Sequence, residues 1–132
     1  MQDSIFTKII KGEIPCHKVY EDDKTLAFMD IHPFNEGQVL VVPKEQVEFV
    51  WDLQDEDYRA LWSTVKKIAY RLREVFPDKI RVGVHVEGLD VNHAHVKIFP
   101  FSTGAEFHAR ADDDAEPDHE ELAKLAEKLY FQ

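Results

Sequence analysis

Cysteine is almost missing from this chain: Cys16 stands alone among 132 residues. An internal disulfide is therefore excluded, a reducing compartment fits, and a lone thiol is a poor basis for a zinc site. Cys16 reads as an ordinary surface or half-buried thiol. Apolar runs of membrane-spanning length are missing too. The opening residues, MQDSIFTKIIKGEIP, break short apolar groups with charges, unlike a secretory signal. Positive charge is in short supply: 16 Lys and Arg stand against 26 Asp and Glu, a formal net charge of −10. That balance argues against nucleic acid polymers and membranes as partners. It leaves a small phosphate ligand open, because local charge decides such a contact. There is no internal repeat. These absences describe a cytoplasmic protein with a single domain over 1–132, long enough for a real core. A composition 44% hydrophobic and 32% charged is ordinary for that class.

What is present has a clear order. Ile5 to Lys11 has the pattern of a short amphipathic helix, with Asp3 or Ser4 as N-cap and Gly12 as the stop. Lys18 to Glu21 and Thr25 to Met29 form a predicted hairpin. Asp30 to Gly37 is a loop. Gln38 to Pro43 is nearly all apolar, as a strand buried on both faces is. Asp55 to Val75 is the longest predicted helix, with Asp55 as N-cap. Tyr58, Leu61, Trp62, Val65, Ile68, Ala69 and Leu72 lie along one face of it. Ile80 to Val86 is a further strand. Glu106 to Asp118 is acidic and contains a proline, and is expected to be a mobile loop. Asp118 to Leu129 is a terminal helix. Tyr130, Phe131 and Gln132 fit the remnant of a common engineered protease site. The fold class that follows is α+β, an antiparallel sheet with one long helix and short terminal helices.

The chemistry concentrates in Asn92-His-Ala-His-Val-Lys-Ile-Phe-Pro100. Polar and apolar residues alternate, which predicts a half-buried strand with His93, His95 and Lys97 on one face. Packing gives a strand no reason to present two imidazoles and an ammonium in a row. A neutral imidazole is a nucleophile, a base or a metal ligand. The neighbouring lysine favours an anion over a metal, since a cation repels a divalent ion. Phosphate is the natural candidate.

Three segments together resemble the histidine triad (HIT) family of nucleotide hydrolases and transferases. They are Phe6 to Pro15 with Val19 to Asp22, Leu26 to Lys44, and Gly88 to Pro100, in matching order and spacing. Pro100 sets the register: His93 and His95 match the first two family histidines, and Lys97 stands in place of the third. The resemblance implies that His95 is the nucleophile, attacking an alpha-phosphorus to form a covalent nucleotidyl-histidine. It implies that His93 orients His95. It assigns Asp30 to the ribose hydroxyls and Phe6, Ile9, Ile14, Phe28 and Ile31 to the wall around the base. His85 falls near a residue that touches ribose or phosphate. Gly88 would let the backbone approach phosphate, and Asp90 sits awkwardly for a phosphate neighbour. The implied partners are a purine nucleotide or related small molecule and a second copy of the chain, as a homodimer. Trp51, Trp62 and the long helix's apolar stripe are candidate contacts.

Two departures from the family pattern stand out. Positions where some members hold zinc are Ser4, Thr7 and Gln46, and Gln38 replaces another frequent histidine. No structural metal and no cofactor are expected. Lys97 is the second. An ordinary lysine keeps its proton at neutral pH. It can stabilise phosphoryl charge but is mismatched as a general acid. The leading expectation is therefore an enzyme acting on phosphoanhydride or phosphoramidate bonds of nucleotides. The alternative is a nucleotide-binding module with blunted catalysis. Metal binding through His85, His93 and His95 is a minor third possibility. His17, His32, His108 and His119 are expected to be surface or packing residues.

Overall fold

The computed structural model describes residues 2–132. Helix α1 (Ile5–Ile10) opens the chain, capped by Ser4, whose side chain accepts the Thr7 N–H. It is one residue shorter than the periodicity predicts, and Gly12 follows with φ 81°, a left-handed conformation that ends the turn. Strands β1 (Lys18–Glu21) and β2 (Thr25–Met29) form the expected hairpin. β3 (Val39–Pro43) pairs with β2, and β5 (Val96–Phe101) lies between β3 and β4 (Arg81–His85). The sheet order is β1-β2-β3-β5-β4, antiparallel throughout. The architecture is the α+β class that the element order predicts.

Every residue of β2 and β3 is buried, which is why these strands carry apolar runs rather than alternation. Each strand nevertheless sends alternate side chains to opposite faces. Ala27, Met29, Val39 and Val41 join the main core, against α2 (Asp55–Val75) and α4 (His119–Leu129). Leu26, Phe28, Leu40 and Val42 join Phe6 of α1 in a smaller cluster. That second face carries the candidate site.

Helix α2 has the predicted span, but Gln54 is its N-cap and Asp55 its first residue. Asp55, Glu56 and Asp57 fill the first turn and Arg73 the last, matching the helix dipole. Its buried side is Leu61, Thr64, Val65, Ile68 and Leu72; Tyr58 stands at its margin, 36% exposed. Thr64 enters the core because its hydroxyl pairs with that of Thr25 at 2.7 Å. Asp118 caps α4 through the Glu121 N–H.

Two expectations need correction. The histidine segment is not strand from Asn92: β5 begins at Val96, and both histidines lie on the loop that enters it. There the Ala94 N–H donates to Val47 O at 2.7 Å, outside any strand ladder. The acidic loop starts two residues later than expected, because Glu106 and Phe107 belong to a short helix while 108–118 carries no helix or strand. Helix α3 (Gly104–Phe107) is closed by a capping box, in which Thr103 accepts the Glu106 N–H and Glu106 accepts the Thr103 N–H. Phe131 also packs as part of the fold: its ring stacks on Tyr20 at 4.8 Å, and its N–H donates to Val19 O. Among the described residues, no helix is long and apolar enough to cross a membrane.

Candidate active site

The small apolar cluster floors a cavity of about 270 Å³. Phe6, Ile9, Ile14, Phe28 and Ile31 line its apolar part, and Asp30, Asp90, His95 and Lys97 line its polar part. Nine of the twelve residues singled out from sequence thus meet in one place. An apolar wall facing a few convergent polar groups is the usual composition of a small-molecule site.

His95 is 5% exposed. Its Nδ1 lies 2.7 Å from the backbone carbonyl of His93. A carbonyl can only accept, so Nδ1 carries the proton and the Nε2 lone pair is free. Among the described residues Nε2 has no hydrogen-bond partner, and His95 lines the cavity. Phe6 meets the ring edge-on, with centroids 5.0 Å apart. Burial lowers the His95 pKa from its ordinary value, and the Lys97 charge lowers it further; Asp30 and Asp90 oppose this. The imidazole is therefore neutral near pH 7, the form a nucleophile requires.

His93 holds His95 through its backbone carbonyl rather than through its ring. The His93 ring is fully buried and turned away from the cavity. Its Nε2–H donates to Pro43 O at 2.8 Å, and its Nδ1 accepts from the Ser4 hydroxyl at 2.8 Å. Burial depresses its pKa too. The ring acts as a peg: it ties the His93 main chain to α1 and to the end of β3, and so fixes the carbonyl that holds His95.

Around that peg Ser4, Thr7 and Gln46 come together, with the Thr7 hydroxyl donating to Gln46 Oε1. Two hydroxyls, an amide and one imidazole do not make the thiolate and imidazole set that zinc prefers. The residues are instead hydrogen-bonded to one another. Metal binding through His85, His93 and His95 is contradicted, since the three do not converge. No group of three or more His, Cys, Asp or Glu fit to hold a metal occurs among the described residues.

Asp30 is 8% exposed and held at both oxygens: the His32 N–H donates to Oδ1 at 3.0 Å, and Gln38 Nε2 donates to Oδ2 at 2.7 Å. His85 falls outside the first cavity. It stacks on Phe34 at 5.3 Å and lines an adjoining hollow of about 520 Å³, whose wall shares Asp90 and Lys97 with the first. Gly88 lines neither cavity. Its φ of 70° demands glycine, whereas an added Cβ would meet nothing within 4 Å, so backbone conformation explains it rather than close approach. Residues that the motif reading missed include Cys16, Val91, Ala111 and Asp113 in the cavity wall, and Gln38 behind Asp30. Of the packing histidines, His17 and His119 pair at 2.9 Å on the surface.

The site therefore combines a buried imidazole at the entry to β5 with a carboxylate anchored in the same cavity. The HIT domain family model matches residues 11–104, and the chain belongs to that family. It is 34% identical to the protein named hit of Bacillus subtilis, across 97% of this chain and 95% of that one. It is 35% identical to the adenosine 5'-monophosphoramidase hnt1 of Schizosaccharomyces pombe, across 73% and 72%. Among solved structures it is similar to a Hit-like protein from Bartonella henselae, with TM-score 0.80 and 34% identity, covering 96% of this chain and 93% of that one.

Proposed function

We propose that the protein is a nucleotidyl hydrolase or transferase that works through a covalent nucleotidyl-histidine. His95 Nε2 attacks the alpha-phosphorus of a nucleoside phosphoramidate or dinucleoside polyphosphate. An N–P bond forms, and the bond to the leaving group breaks, the leaving group taking the electron pair. Water or another acceptor then attacks phosphorus, and the imidazole recovers its lone pair. Nδ1–H stays on His93 O throughout. That bond is the observation that carries the reading, because it leaves Nε2 alone available in a cavity shared with Asp30.

The other lining residues take roles from their chemistry. Asp30 accepts the ribose hydroxyls. Phe6, Ile9, Ile14, Phe28 and Ile31 enclose the base. Lys97, standing where the family places its third histidine, stabilises charge on the phosphoryl oxygens. The names of relatives such as the S. pombe phosphoramidase support this substrate class. The test is product formation from adenosine 5'-phosphoramidate and from diadenosine tetraphosphate, by the natural chain and by His95→Ala. Turnover by the first alone is expected. Binding of adenosine 5'-monophosphate with no turnover of either substrate would mark a binding module instead.

A further inference from the structure

Gln38 is fully buried, at 0% exposure. An amide in an apolar interior needs partners for both of its ends. Among the described residues Gln38 has one: Nε2 donates to Asp30 Oδ2, while Oε1 is sealed from solvent with no partner. Reversing the amide would set its oxygen against the carboxylate, so the donor must face Asp30. Gln38 lies two residues before Leu40, whose strand partner is Lys97. Strand alternation therefore keeps it on the face that bears the cavity, yet it does not reach the cavity wall. An unpartnered buried acceptor is destabilising. What the residue provides is at its donor end.

That end limits a soft rotation. The terminal torsion of an aspartate has broad, nearly twofold wells. A carboxylate that accepts two vicinal hydroxyls must present both oxygens at one angle. The His32 N–H fixes Oδ1 and the Gln38 amide fixes Oδ2. Of these two, only the second is a side chain that can be removed without touching the backbone.

We propose that Gln38 is a positioning residue: it sets the angle of the Asp30 carboxylate and thereby the preference for ribonucleotides over deoxyribonucleotides. This rests on the reading of Asp30 as the ribose ligand, but not on turnover.

The experiment is calorimetric binding of adenosine 5'-monophosphate and its 2'-deoxy analogue to the natural chain, Gln38→Leu, Gln38→Glu and Asp30→Asn. The natural chain should prefer the ribonucleotide. Gln38→Leu should cut that preference about tenfold, the loss expected when a hydrogen bond to a charged group is removed. Gln38→Glu places two carboxylates against each other, so its preference for the ribonucleotide over the 2'-deoxy analogue should rise as pH falls and a shared proton restores the donor. The natural chain should lack that dependence. A Gln38→Leu chain that keeps the full preference, while Asp30→Asn loses it, overturns the role of Gln38 and leaves that of Asp30 standing. An undiminished preference in Asp30→Asn overturns both. If Gln38→Leu does not fold, a flat pH profile in Gln38→Glu overturns the proposal on its own.

Discussion

His95 Nδ1 and the backbone carbonyl of His93 are 2.7 Å apart, and this one bond decides which nitrogen of the site is free to react. The carbonyl is only as fixed as the residue that bears it. His93 is pinned at both ring nitrogens, by Pro43 O and by the Ser4 hydroxyl. The His95 ring is thus aligned by a chain of contacts running from the N-cap of α1 to the end of β3.

Ser4→Ala removes the helix cap and the Nδ1 partner of His93 together. Stability should fall by about 1–2 kcal/mol, read as a drop of several degrees in melting temperature. Turnover should fall as well, since the His93 peg loosens. An unchanged melting temperature would show that the Thr7 hydroxyl, 3.3 Å from Nδ1, takes over the contact.

Acid should weaken the fold through these same rings. The pKa values of His93 and His95 are both lowered in the folded chain, mainly by burial. The unfolded chain binds protons first, near the ordinary histidine value of about 6.5. Stability is then complete above that value and declines as pH drops below it toward the lowered folded values. Denaturant melts at several pH values between neutral and mildly acid conditions would show this. Replacing His93 by Gln should flatten the slope, and a slope unchanged in that variant would contradict the assignment.

Under the proposed mechanism, Lys97 should separate leaving groups. Departing phosphate needs less protonation than a departing amine, and an ammonium is a better charge stabiliser than acid at neutral pH. Phosphoanhydrides should therefore be cleaved at least as well as phosphoramidates. Lys97→Gln should lower kcat/KM for a dinucleoside polyphosphate by about a hundredfold. Lys97→His should raise phosphoramidate turnover relative to polyphosphate. A strong phosphoramidate preference in the natural chain would refute this division.

Much of this site was legible in sequence because its residues sit in regular patterns. The apolar run of β3, the seven-residue stripe of α2 and the spacing of the three family segments each carry a period or a register. The contacts that set orientation carry neither. Ser4 and His93 are 89 positions apart, and Gln38 reaches Asp30 across eight positions that include a loop. Polar pairs of that kind depend on tertiary placement alone. The strand predicted from Asn92 failed for a related reason. Alternation of polar and apolar residues holds from His93 onward, but Ala94 bonds to the loop residue Val47 instead of a neighbouring strand. Helix α3 had a readable signal, Thr103 followed three residues later by Glu106, which the acidity of the surrounding stretch obscured.

The central claim is that phosphorus passes through a bond to His95. Intact-mass measurement of the protein mixed with adenosine 5'-phosphoramidate, and quenched in alkaline denaturant within the first turnovers, tests it directly. The natural chain should gain the mass of one adenylyl group, and His95→Ala should gain none. An adduct that persists in His95→Ala, or product formed by the natural chain with no adduct at any time, would contradict the account.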